Sequence, residues 1–189
     1  MNELTDDMLI LRCKTGDKNA FRILVERYKK QSYGFAFSYL RNAEDALNIS
    51  QDAFIKVWNA IDTFIEGRHF RPWMFSIIKN LSINCIEKKK RRREVSLDEA
   101  FEKSGFDIVG SSGNPQKILE EKETRGNVWK AIFELKEEFR EIIILKHFHD
   151  LSYQEIAETL GIPEGTVMSR LYYARFELKK KLIHVLKRG

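Results

Sequence analysis

Apolar residues recur three, four or seven positions apart along most of this chain, and its three prolines all stand where a helix should begin. That combination leaves few folds open. From Asp17 to Leu40, Phe21, Leu24, Tyr28, Phe35 and Tyr39 keep mostly to one side of a helix, and Ala43 to Asp62 and Trp73 to Lys90 have the same character. Pro72, Pro115 and Pro163 suit helix starts, because a ring that fixes φ and lacks an N–H is tolerated in the first turn. No stretch alternates convincingly as a half-buried strand would. The expectation is therefore an all-α protein: two small helical bundles joined by a flexible linker, the C-terminal one containing a helix-turn-helix. The periodicity fails between Glu94 and Asn114, where EVSLDEAFEKSGFDIVGSSGN mixes acids with Gly and Ser. Domains of residues 1–93 and 116–189 are thus expected on either side of a linker at 94–115, each domain with about four helices.

Leu151 to Leu182, LSYQEIAETLGIPEGTVMSRLYYARFELKKKL, reads as two helices joined by a tight turn. Ser152 and Glu155 have the capping-box spacing, in which the hydroxyl accepts from an early amide and the carboxylate reaches back to the capping residue. Ile156, Ala157 and Leu160 give the first helix an apolar face. Gly161 permits the positive φ that ends it, and Ile162-Pro163 restarts the chain at a fixed angle. Val167, Leu171 and Ala174 then bury one side of the second helix, leaving Glu164, Thr166, Ser169, Arg170 and Tyr173 outward near its start. Short polar groups and one guanidinium are what a recognition helix presents to the major groove, and Arg175, Lys179, Lys180 and Lys181 follow where phosphates would lie. A plain scaffold hairpin is the alternative. Small Ala157, the Gly161 turn and Val167 at helix-turn-helix spacing favour DNA binding.

Phe64 to Arg93, FIEGRHFRPWMFSIIKNLSINCIEKKKRRR, sets Phe64, Phe70, Trp73 and Phe75 among Arg68, His69 and Arg71, in a short Gly-containing loop before a helix that Pro72 starts. Rings stack on unpaired bases at about 1–3 kcal/mol each while cations follow the backbone, so the interleaving suits single-stranded nucleic acid. The competing account makes Phe70, Trp73, Ile77 and Leu81 the core face of a helix. Both hold together if the rings are buried and Arg68, His69, Lys79, Asn80 and Asn84 face the strand. Lys88 to Arg93 is either a phosphate contact or a solvated helix end. In AEDALNISQDAFIKVWNAIDTF, Ala46, Ile49, Ala53, Val57 and Ile61 make one apolar stripe for the core, and Leu47, Gln51, Phe54 and Trp58 make a second. A surface helix needs only one buried face, so either a protein partner covers the second stripe or the helix is wholly buried.

A formal net charge of +5 suits a partner with phosphates, and 32% charged with 43% hydrophobic residues fits a folded chain rather than a disordered one. No run approaches bilayer-spanning length, and MNELTDDMLILRC is acidic where a signal peptide would be basic. A cytoplasmic protein with no membrane insertion is expected. Cys13 and Cys85 fall in helical patterns and read as reduced core thiols. His147 and His149 lie two apart, on different sides of a helix, with no further ligands placed beside them; neither a metal nor a cofactor is expected.

Three blocks, in order, carry a resemblance to the extracytoplasmic-function group of bacterial sigma factors over nearly the whole chain. They are Glu44-Asp45-Ala46 with Gln51-Asp52-Ala53-Phe54 and Trp58; Phe70-Arg71-Pro72-Trp73-Met74 with Ile77 and Asn80; and Leu151-Ser152-Tyr153-Gln154-Glu155-Ile156-Ala157 with Gly161-Ile162-Pro163-Glu164-Gly165-Thr166-Val167 and Ser169-Arg170. The resemblance implies an alternative sigma factor that binds bacterial core RNA polymerase and directs promoter recognition, strand opening and transcription initiation. The polymerase supplies the chemistry, so no catalytic residue is expected. It further implies that Asp45, Asn48, Gln51, Asp52, Phe54 and Trp58 meet the polymerase clamp helices, and that Phe64, Arg68, His69, Phe70, Trp73, Lys79, Asn80, Asn84 and Lys88 hold the opened minus-ten element. Glu164, Gly165, Thr166, Ser169, Arg170, Tyr173 and Arg175 would read the duplex minus-thirty-five element, and helices around Trp129 to Phe148 would touch the polymerase flap. Members are often held by an anti-sigma factor, a further partner the resemblance implies. Asn48 and Asn84 depart from it, standing where the family commonly has acids.

Two other functions fit part of the pattern. A self-sufficient helix-turn-helix regulator accounts for neither the aromatic loop nor the two-striped helix, and it needs a dimer seam that the sequence does not offer. An enzyme acting on DNA would use Tyr172, Tyr173 or a serine as nucleophile, and it needs a base or cation cluster around that group.

Overall fold

The computed structural model describes residues 4–95 and 126–186, so Pro115 and nearly all of the expected linker lie outside the described residues. The chain divides into two compact units. In the first, α1 (Asp6–Lys14), α2 (Lys18–Leu40), α3 (Ala43–Ala60) and α4 (Phe70–Val95) follow in order, with a 3-10 turn at Ile61–Thr63. Side chains cap three of the starts. Thr5 Oγ1 accepts from the Met8 N–H at 3.4 Å, Asp17 Oδ1 from the Asn19 and Ala20 N–H groups at 2.8 and 3.1 Å, and Asn42 Oδ1 from the Asp45 N–H at 2.9 Å. The Ala20 amide, and then the Arg12 guanidinium, hold the Asp17 carboxyl below its ordinary value.

Helix α4 begins at Phe70 rather than at Pro72 and runs on to Val95, past the expected Lys90. The proline therefore sits in the first turn, where a missing N–H forfeits no helical bond. Helices α2, α3 and α4 pack on one another and α1 packs on α2. Leu24, Phe35, Ala46, Val57, Met74 and Ile78 are wholly buried between them, and the Phe35 and Phe75 rings meet at 4.9 Å.

The second unit contains a helical stretch at 126–133, here α5, then α6 (Glu137–His147), α7 (Tyr153–Leu160) and α8 (Glu164–Leu186). Ile142, Ile143, Ile144 and Leu145 are all buried, so the centre of α6 is apolar all round as an interior helix must be. Helix α6 packs on α8. The Trp129 ring lies 5.6 Å from Phe133 and 4.6 Å from Phe148. The capping box forms as expected: Ser152 Oγ accepts from the Glu155 N–H at 3.1 Å, and Glu155 Oε2 accepts from the Ser152 N–H at 2.8 Å. Gly161 ends α7 in the left-handed region at φ 68°. The Thr166 and Val167 N–H groups donate to the Pro163 carbonyl, so the proline stands at the head of α8. Among the described residues there is no strand, and no helix is long and apolar enough to cross a membrane.

Candidate nucleic-acid interface

Residues 64–69 connect the turn after α3 to α4. Gly67 at φ 84° and a 3.3 Å bond from the Arg68 N–H to the Ile65 carbonyl fold the segment back. The structure separates the rings from the cations that the sequence interleaves. Phe64 and Phe70 are 5% and 2% exposed, 6.3 Å apart, and lie 5.0 and 6.0 Å from the Trp73 ring. Tyr28 of α2 packs 5.4 Å from Phe70. Of the two accounts of the rings, burial holds for Phe64 and Phe70, whose faces meet one another and Trp73, because burying large rings together is strongly favourable. Trp73 is half-buried. Arg68 and His69 are exposed, Lys79 is half-buried, and Asn80, Asn84 and Lys88 are exposed four residues apart along one side of α4.

On α3 the first stripe is buried as expected. The second divides. Leu47 and Gln51 are open, flanked by exposed Asn48, Asp52 and Ile55, whereas Phe54 is buried edge-on to Phe21 of α2 at 6.5 Å. Half-buried Trp58 lies 4.9 Å from the same Phe21 ring. Neither a fully covered helix nor a fully open second stripe describes it. The Asp45 carboxylate pairs with Lys89 of α4, joining the first acid of this face to the basic run. Burial, and then Asp45, push the nearby Cys85 thiol up from its ordinary value.

Along α8, Glu164, Gly165, Ser169, Tyr173 and Arg175 are exposed, and Thr166 and Arg170 are half-buried. Two cations lean on α6: Arg170 lies 3.7 Å from the Glu138 carboxylate, and Arg175 Nε donates to His147 Nε2 at 3.4 Å. Lys180 and Lys181 pair with Glu177 and Glu134 at 3.1 and 3.3 Å. Such part-exposed pairs are worth about 0–1 kcal/mol and exchange readily for phosphate. The structure also exposes three apolar residues of α8 outside the expected set. Met168, Tyr172 and Phe176 are 56%, 70% and 52% exposed and, four apart, form an apolar stripe beside Ser169 and Tyr173. Their helical spacing was the available signal. Among the described residues no three metal-ligating side chains cluster.

Family models match in two places, one described as Sigma-70 region 2 over residues 24–92 and one as Sigma-70, region 4 over residues 125–178. The chain is 33% identical over 189 residues to the ECF RNA polymerase sigma-E factor of Escherichia coli (strain K12), covering 98% of each. It is 34% identical over 176 residues to the ECF RNA polymerase sigma factor SigW of Bacillus subtilis (strain 168), covering 92% of this chain and 94% of that one. The solved structure of the sigma factor RpoE in complex with the anti-sigma factor NepR from Bartonella quintana is similar with a TM-score of 0.71 at 25% identity, covering 86% of this chain and 96% of that one.

Proposed function

The chain belongs to the ECF group of RNA polymerase sigma factors, and from that premise we propose how its residues divide the work. As an alternative sigma factor it partners core RNA polymerase and promoter DNA and directs promoter recognition and transcription initiation. In our reading residues 1–93 dock on the polymerase through α3, with open Asn48, Gln51 and Asp52 and half-buried Asp45 in contact and Phe54 and Trp58 supporting them from the Phe21 side.

The same domain opens and holds the minus-ten element. Unstacking a base costs a few kcal/mol, which must be recovered from groups that touch the released strand. Arg68, His69 and the accessible part of Trp73 are the candidates at the loop, and Lys79, Asn80, Asn84 and Lys88 carry the strand along α4. Phe64 and Phe70 serve by holding the loop in shape. Residues 116–189 read the upstream duplex through Glu164, Gly165, Thr166, Ser169, Arg170 and Tyr173, with Arg175 on phosphate, and Trp129 to Phe148 meet the flap. Tethered by 94–115, each domain can bind weakly alone while the pair gains from effective concentration, so the spacing of the two elements selects promoters.

The chain supplies selectivity and strand opening; we assign it no catalysis of its own, and its workplace is the cytoplasm, with the polymerase. An anti-sigma partner is proposed from the likeness to RpoE, which was solved with one. The observation that best supports the division is that exposed cations and amides lie on the loop and along α4 while the phenylalanines Phe64 and Phe70 are buried in the core. Run-off transcription with purified core polymerase on genomic fragments tests it. Transcripts with discrete start points are expected; failure of the chain to comigrate with polymerase, or no defined start, rejects the reading.

A further inference from the structure

We propose that α1 is a brace that fixes the strand-capturing loop at 64–69, with Lys14 and Asp6 as positioning residues, an inference that rests on that loop's role in the reading above. The inner face of α1, Leu9, Ile10 and Cys13, is buried, and the helix packs on the turn at Ile61–Thr63 from which the loop departs. At its C-terminal end Lys14 Nζ donates to Glu66 Oε1 at 3.4 Å, reaching across 52 positions of sequence to the middle of the loop. At its N-terminal end Asp6 accepts from both Arg27 and the Tyr28 hydroxyl. The Tyr28 ring in turn packs on Phe70, the residue that closes the loop and begins α4. One helix therefore holds the loop at Glu66 directly and at Phe70 through Tyr28.

Two physical consequences follow from the Lys14 contact. A loop already ordered loses less conformational freedom when a strand binds, so the held form binds more tightly. Glu66 is also an acid in a loop that must approach phosphates; the ammonium neutralises it and draws it toward α1, whereas an unpaired carboxylate there repels the strand. Glu66 is exposed and Lys14 half-buried, and neither belongs to the apolar core.

The test uses full-length protein in complex with core polymerase. The probe is the single-stranded oligonucleotide that wild-type holoenzyme enriches from a randomised pool, and its affinity is read by fluorescence anisotropy. Lys14→Glu is expected to weaken strand binding about three- to tenfold. The charge-conserving double variant Lys14→Gln with Glu66→Gln weakens it in the same direction. The exchange Lys14→Glu with Glu66→Lys restores it to within about twofold. Affinity for polymerase stays at the wild-type value in all three, a pattern that general destabilisation does not produce. Tyr28→Phe, which keeps the ring on Phe70 and removes the bond to Asp6, weakens strand binding without changing affinity for upstream duplex. Wild-type strand affinity in Lys14→Glu, or an exchange that fails to rescue, overturns the brace alone. If wild-type holoenzyme enriches no single strand, the strand-capture reading itself falls and takes the brace with it.

Discussion

Ser152→Ala tests how α7, the first helix of the helix-turn-helix, is held in place. Helix α7 has eight residues, too few to persist on intrinsic propensity, so it depends on its cap and on the burial of Ile156. In the native protein the Ser152 hydroxyl takes the Glu155 N–H at 3.1 Å, and the Glu155 carboxylate takes the Ser152 N–H at 2.8 Å. Alanine removes the first bond and leaves the second without its reciprocal partner. Ser152 is exposed, so water reaches the freed amide and the penalty for a buried unsatisfied group, about 1–3 kcal/mol, does not apply. What is lost is a cap, about 1 kcal/mol. Ile156→Ala has no such relief: the side chain is wholly buried, and truncation costs about 2–5 kcal/mol through lost burial and a cavity. Hydrogen exchange followed by mass spectrometry separates the two. Amides of 153–160 in Ser152→Ala should exchange about fivefold faster than in the wild type, with α3 unchanged, and those of Ile156→Ala far faster. Ser152→Gly should lose only a few tenths of a kcal/mol. Unchanged protection of α7 in Ser152→Ala, or an equal loss of protection in α3, refutes this account of the cap.

The exposed and cross-helix cations make three further predictions. Arg170→Ala should relax base preference in the upstream element by about 1–3 kcal/mol, as expected if its guanidinium leaves Glu138 to bridge a guanine; competition binding with single-base variants checks it, and an unchanged preference removes Arg170 from the base-reading set. Replacing Lys88 to Arg93 by Gln should weaken binding to all DNA sequences alike and lower the salt slope by about 0.9 per lost contact on duplex, while a wild-type slope leaves the run as a solvated helix end. His147 is held below its ordinary value by burial first and then by the charges of Arg175 and Lys146, and its neutral Nε2 accepts from Arg175. As pH falls, the unfolded chain takes up this proton before the folded one. Stability of the second unit should therefore decline as pH drops through the ordinary histidine range, with no contribution above it. Urea unfolding at about pH 7.5 and about pH 5.5 should show the loss in the wild type and a smaller one in His147→Gln; identical pH dependence in the two proteins excludes the assignment.

Helix positions were legible because they obey rules acting over a few residues. Asp17 and Asn42 cap where short polar side chains precede apolar periodicity, the Ser152 and Glu155 spacing makes a capping box, and Gly161 takes the left-handed conformation that side chains resist. Pro72 does not by itself place the boundary at Phe70, because the whole first turn of a helix tolerates a missing N–H. Residues brought together from distant segments were harder to read. Nothing near Phe54 in sequence says that Phe21 will cover it while Leu47 and Gln51 stay open, and nothing near Lys14 points to Glu66.

By itself, then, the amino-acid order determined two sets of amphipathic helices, their caps, the helix-turn-helix and the residue types suited to phosphate and bases. Only the tertiary structure decided that Phe64 and Phe70 pack together while Arg68 and His69 face outward, and that Arg170, Arg175 and Lys89 rest on partners from other helices. The reason is geometric: periodicity relates a side chain to the axis of its own helix, whereas burial and ion pairing depend on which neighbour arrives against that face, and that is set by packing of the whole unit.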